Sequence, residues 1–132
     1  MSQPTHPLIQ RYVQRHQLTD ALRADGRATV VIDERFRVHL APAPQGWLAL
    51  QARVLDLPPA GRDRDALLVE MGEFAAGMLA GHASTLSADP REETLGLQQL
   101  IRPDASDLDV DEAVGQFANA LSFWQAVARR YA

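Results

Sequence analysis

The chain has 132 residues, 46% of them hydrophobic and 23% charged, with 13 Lys and Arg against 17 Asp and Glu and a formal net charge of -4. This is ordinary composition for one folded domain with a real core, and too little chain for two. The acidic balance and the wide spacing of the basic residues argue against nucleic acid; the absence of cysteine excludes disulfides, thiolate catalysis and cysteine-ligated zinc, and fits a reducing cytoplasm.

The opening MSQPTHPLIQRYVQRHQ has no continuous apolar run after a basic start, so no signal peptide is expected, and no stretch reaches the roughly 20 apolar residues of a membrane span. In PLIQRYVQRHQLTDALRADG, Leu8, Ile9, Tyr12, Val13, His16 and Leu18 recur at helical spacing and Gly26 offers a stop, which predicts a first helix. The period then changes to two. Val30 and Ile32 open one strand, Phe36, Val38 and Leu40 alternate along a second, and Leu48, Leu50, Ala52 and Val54 along a third. Asp33-Glu34 and PAPQG (42–46) are the natural turns between them.

After PPAGRDRD, in which Asp63 or Asp65 is available as an N-cap, comes ALLVEMGEFAAGMLAG (66–81). Wound at about 100° per residue, it carries an apolar arc roughly 240° wide, where a helix lying on one core needs little more than about 100°. Gly72, Ala76 and Ala80 recur every fourth residue and make one flank nearly flat, so that another backbone can come close. Interior glycine costs about 1 kcal/mol relative to alanine, and three of them need a compensating reason. The helix is either central in its own monomer or shared between its own sheet and a subunit interface. Two further strands are predicted at 82–88 and 94–101, with a polar turn around Pro90. A last helix follows in SDLDVDEAVGQFANALSFWQAVARRYA, with Val110, Val114, Phe117, Leu121, Trp124 and Val127 or Ala128 as its buried stripe. Asp109 with Glu112 reads as its cap pattern. The order αβββαββα predicts an α+β domain, an antiparallel sheet with packed helices, spanning residues 1–132.

Catalytic patterns are missing. His6, His16, His39 and His82 are scattered, with no pair at helical metal-binding spacing. DASDLDVDE (104–112) is not a calcium loop, because Glu112 stands where glycine is needed and Ala118 where the closing glutamate is needed. There is no GxSxG, phosphate loop or GxGxxG. Glu70 and Glu73 share the polar edge of the middle helix; they form an acid–base pair or, more cheaply, a solvated strip. No cofactor or metal is implied and no enzyme activity is expected, so surfaces become the candidates for function.

In its element order, the VVIDERFRVHLAPAPQGWLALQARVLDLP block, the small-residue-rich middle helix and TLGLQQLIRPDASDLDVDEAVGQFANALSFWQ, the chain resembles the class I effector chaperones of bacterial type III secretion, the Tir chaperone (CesT) family. The resemblance implies a small acidic cytoplasmic homodimer, active in virulence, that holds the N-terminal segment of a secreted effector extended and secretion-competent, with the secretion ATPase as a further partner and no membrane insertion. It implies a dimer contact through Val69, Gly72, Ala76 and Ala80 with His82, Ser84 and Leu86. It implies client contact through Leu8, Ile9, Val13, Phe36, Val38, Leu40, Trp47, Leu48 and Leu50, although alternating strands must bury one face in any case. A regulator of the same fold, sequestering a secretion regulator, and a small-ligand-binding or enzymatic α+β domain are the competing readings.

Overall fold

Three short segments rich in β-branched and aliphatic residues form β1 (Ala28–Ile32), β2 (Phe36–Pro42) and β3 (Leu48–Asp56). The computed structural model describes residues 6–56, 61–78, 84–89 and 94–129. α1 (Pro7–Arg15) precedes the three strands; α2 (Arg62–Met78), β4 (Thr85–Asp89), β5 (Thr94–Ile101) and α3 (Asp107–Ala128) follow them. All neighbouring strands pair antiparallel, in the order β1-β2-β3-β5-β4.

The β1–β2 turn falls at the expected Asp33-Glu34. Both residues take positive φ (53° and 58°), and the Arg35 N–H closes the turn on the Ile32 carbonyl at 3.1 Å. Positive φ at two successive positions matches the right-handed twist of a hairpin. The β2–β3 connection tightens around Gln45 and Gly46, with φ of 63° and 81°.

The first helix is shorter than its periodicity predicted. It ends at Arg15 because Gln17 adopts φ 56°, which lets the Leu18 N–H reach the Val13 carbonyl (2.7 Å) and the Gln17 N–H reach the Gln14 carbonyl (3.3 Å). This is a Schellman closure, with glutamine where glycine is usual. Leu18 then packs on the core from outside the helix, before a short 3-10 turn over Thr19–Ala21. The helix starts at Pro7, whose missing N–H costs nothing there. His6 caps it: Nδ1 accepts the Leu8 N–H at 3.0 Å, leaving Nε2 to donate to the Gly46 carbonyl at 2.6 Å.

The last helix is capped one turn earlier than expected. Ser106, not Asp109, is the N-cap: its hydroxyl accepts the Asp109 N–H, and the Asp109 carboxylate accepts the Ser106 N–H, both at 3.1 Å. The box therefore joins Ser106 to Asp109, and Glu112 lies outside it. In α2 the proposed caps Asp63 and Asp65 fall inside the first turn, where their charge suits the helix dipole.

One core lies between the sheet and the helices. α3 crosses β3, β2 and β5, and α1 packs beside α3. The stripe Val110, Val114, Phe117, Leu121, Trp124, Val127 and Ala128 is buried as predicted, and α2 adds Leu67 and Met71. The inward positions of the strands, from Val30, Val38 and Leu40 to Leu48, Leu50 and Leu97, complete it.

Candidate functional site

Strand alternation divides the sheet into a face covered by helices and a face that is open among the described residues. Across the open face Thr29, His39, Gln51, Gln98 and Thr85 form one row spanning all five strands. On one side of that row Val31 pairs with Arg37, and Arg53 pairs with Gly96, which in turn pairs with Ser87. On the other side run Ala41, Ala49 and Leu100. Val31 is 56% exposed and Leu100 50% exposed, so the face carries accessible apolar groups inside a polar setting.

Two hollows lie on this face, each of about 450 Å³. The central one is lined by His39, Gln51, Arg53, Ser87, Gly96 and Gln98, side chains that donate and accept hydrogen bonds around a glycine floor. The second runs beside the β2–β3 loop, where Pro42, Pro44, Trp47, Ala49 and Leu100 make an apolar wall next to Gln51 and Gln98. The His6 bond to Gly46 ties this loop to the start of α1.

His39 accepts or donates with Thr29 Oγ1 at 2.9 Å. Burial first, and then the charges of Arg23, Arg37 and Arg27, lower its pKa from the ordinary 6.5, so it is a neutral imidazole at pH 7. A neutral ring between hydroxyl and amide neighbours is a hydrogen-bonding group, with the Thr29 hydroxyl as its partner and Ser87 lining the same hollow. Among the described residues no three His, Asp or Glu side chains come together to hold a metal ion, and no helix is long and apolar enough to cross a membrane.

The residues matched by resemblance to client contact fall elsewhere. Leu8, Ile9, Val13, Phe36, Val38, Leu40, Leu48 and Leu50 are all buried in this chain's own core, and only Trp47 reaches the surface in part. The reason is the period of two: a run that alternates cleanly presents its largest aliphatics to the helices and the residues between them to the other face. Thr29, Val31, Arg37, His39, Gln51 and Arg53 are those alternates.

The positions matched to a dimer contact are distributed differently. Val69 is 59% exposed, and Gly72 is exposed with open space where a side chain would project. Ser84 is half-buried, and Leu86 packs partly on the core. The side chain of Ala76, together with Ala80 and His82, lies outside the described residues. In the single chain, then, one flank of α2 supplies Leu67 and Met71 to the core while Val69 and Gly72 face outward.

Helices gathered on one side of a five-stranded antiparallel sheet, with the opposite face open among the described residues, define a small α+β domain. The chain belongs to the Tir chaperone protein (CesT) family, whose profile matches residues 8–131. No curated protein sequence matches it significantly. Among solved structures it is similar to a chain of the HopA1-SchA chaperone-effector complex, at 16% identity and a TM-score of 0.66, covering 90% of this chain and 91% of that one. It is also similar to a chain of the ExsC-ExsE complex, at 17% identity and a TM-score of 0.68 over 92% and 90% of the two chains. A third likeness is to the structure of the Yersinia pestis type III secretion chaperone SycH in complex with a stable fragment of YscM2, at 16% identity and a TM-score of 0.60 over 90% and 98%. At such identities the likeness shows the fold, which is that of the type III secretion chaperones.

Proposed function

We propose that this protein is a type III secretion chaperone of the bacterial cytoplasm that binds the N-terminal segment of a secreted effector, keeps it non-globular and passes it to the secretion ATPase, with no catalytic step of its own. The observation that carries this reading is the family match, which runs from residue 8 to residue 131 and so takes in every element of the fold. The geometry supports it. An extended client exposes backbone and side chains together; β1, beyond its bridge to Leu22, and β4 are the outer strands of the sheet for the first, and the open face with its Trp47 hollow serves the second.

The same reading makes the protein a homodimer through the outward flank of α2, with Val69, Gly72 and Ala76 at its centre and Ala80, His82, Ser84 and Leu86 continuing it. A stable interface buries about 800 Å² per partner, which a flat helical flank continued along a strand can supply. The test is coexpression with the proteins encoded by neighbouring genes, followed by pull-down, light scattering and limited proteolysis. The expected result is one recovered polypeptide whose N-terminal region is protected. Recovery of none, with a small molecule bound in its place, overturns the reading.

A further inference from the structure

The protein is acidic overall, yet its open sheet face is not. The residues described on α3 include Asp107, Asp109, Asp111 and Glu112 and no basic side chain before its cap, and Asp107 and Asp111 are occupied by Arg11, Arg15 and His16 of α1. On the open face the balance reverses. The Arg23 N–H bonds the Arg27 carbonyl at 2.8 Å, and Leu22 bridges to Ala28, which holds these two arginines side by side at the outer edge of β1. Arg37 stands opposite Val31 on β2, and Arg53 follows on β3.

The register places Arg23, Arg27 and Arg37 around His39: Arg37 lies two residues before it on β2, and Arg27, with Arg23 beside it, lies two residues before its partner Thr29 on β1. Compensation is thin. Arg27 has Asp25 at 4.0 Å, Arg53 has Asp56 three residues on, and among the described residues Arg23 and Arg37 form no ion pair. Such a cluster is a local positive patch on a protein of negative net charge, and it favours a partner of the other sign.

We propose that the open face at the β1–β2 edge, where Arg23, Arg27 and Arg37 surround His39 and Arg53 borders the central hollow, docks an acidic, extended stretch of a client polypeptide. The proposal rests on the chaperone reading and names the chemistry of its partner. A strand laid along β1 beyond its bridge to Leu22 places alternate side chains over this face. Carboxylates there meet guanidinium groups, which bind them in a bidentate fashion, and the next polar side chains fall among Gln51, Gln98 and Ser87. Nucleic acid is disfavoured because the patch is small and the whole molecule is negative.

The test uses the full chain and labelled probes followed by fluorescence anisotropy: short peptides alternating threonine with glutamate, glutamine or lysine, and a short DNA duplex. The glutamate peptide is expected to bind about tenfold more tightly than the glutamine peptide, and added salt is expected to weaken it. Arg23→Gln with Arg37→Gln is expected to remove that preference, and Arg37→Lys to keep most of it; both sites are exposed, so unfolding is checked by far-ultraviolet circular dichroism. Equal binding of the three peptides, an unchanged preference in the double variant, or tighter binding of the duplex than of the glutamate peptide each overturns the proposal. No effector is needed, so a failure here and a failure to recover a client by coexpression are separate results.

Discussion

Arg15 on α1 and Asp111 on α3 meet at 2.6 Å although 96 positions separate them in the chain. Around them Arg11 and Arg15 each reach Asp107 at 2.9 Å, His16 reaches Asp111 at 3.0 Å, and the Arg15 guanidinium sits 5.9 Å from the centre of the Tyr12 ring. α1 is only nine residues long, too short to hold its shape alone, so this cluster and the buried Leu8, Ile9, Tyr12 and Val13 together fix it against α3. Arg15→Ala is expected to lower stability by about 1–2 kcal/mol, read as a drop in the urea midpoint with an unchanged slope.

The pH dependence has a definite sign. Burial alone would raise the Asp111 pKa, but hydrogen bonds from Arg15 and His16 and their charges outweigh it and hold the carboxyl below its usual 3.8. Burial and nearby arginines likewise hold His39 below 6.5. Each group binds its proton more weakly in the folded chain than in the unfolded one, so each contribution is full above the unfolded pKa and fades as pH falls through the folded one. Stability is therefore expected to decline on acidification in two windows, below about 6.5 from His39 and below about 3.8 from Asp111. His39→Gln should flatten the upper window and Asp111→Asn the lower; parallel curves for all three proteins would contradict this assignment.

Ser106→Ala should cost about 1 kcal/mol through loss of the capping box, and Ser106→Gly only a few tenths. Glu112→Ala, one turn on and outside the box, should be close to neutral in the same thermal melts. A larger loss from Glu112 than from Ser106 would return the cap to the position that spacing alone suggests.

Gln17 occupies a left-handed conformation that an L-residue with a side chain adopts at some expense. Gln17→Gly should relieve it and raise stability by up to about 1 kcal/mol, part of the gain being offset by the freer unfolded chain. A lower midpoint in chemical denaturation would show that the Gln17 side chain contributes more than its backbone loses.

Val69 is exposed in the single chain, so Val69→Arg should leave the fold intact while obstructing the proposed contact between copies. Light scattering of the variant should give half the mass of the parent protein at equal concentration, with an unchanged circular dichroism spectrum. Ala76→Arg tests the centre of the same flank and should also yield monomers or aggregates. Unchanged mass from both would place the contact elsewhere.

The element order, the hairpin turn at Asp33-Glu34 and the whole buried stripe of α3 were legible in the sequence because they rest on local periodicity, which packing reinforced. The end of α1 was not. Leu18 continues the helical spacing, and nothing in a glutamine announces positive φ; the chain turns at Gln17 because Leu18 gains burial by leaving the helix. The cap of α3 was misplaced by one turn because two acidic spacings compete in SDLDVDE, and only the Ser106 hydroxyl lies at the bend. The open face was half legible: alternation identified the two sides of each strand, but which side receives the helices depends on how α1 and α3 fold back. The convergence of Arg23, Arg27, Arg37 and Arg53 depends on strand register, and four arginines spread over thirty positions carry no local mark.

Gly96 lies at the middle of the open face, and a methyl group built there would press on the Ala52 carbonyl oxygen at 3.2 Å, a backbone atom fixed by the β3–β5 pairing. A side chain at this point of the platform would therefore have to displace that carbonyl by a few tenths of an ångström. Retargeting this scaffold toward a different passenger would have to be done at its margins, by exchanging Arg37 and Arg23 on one side or Trp47 and Leu100 on the other, much as a key is recut along its edge while the blank is kept.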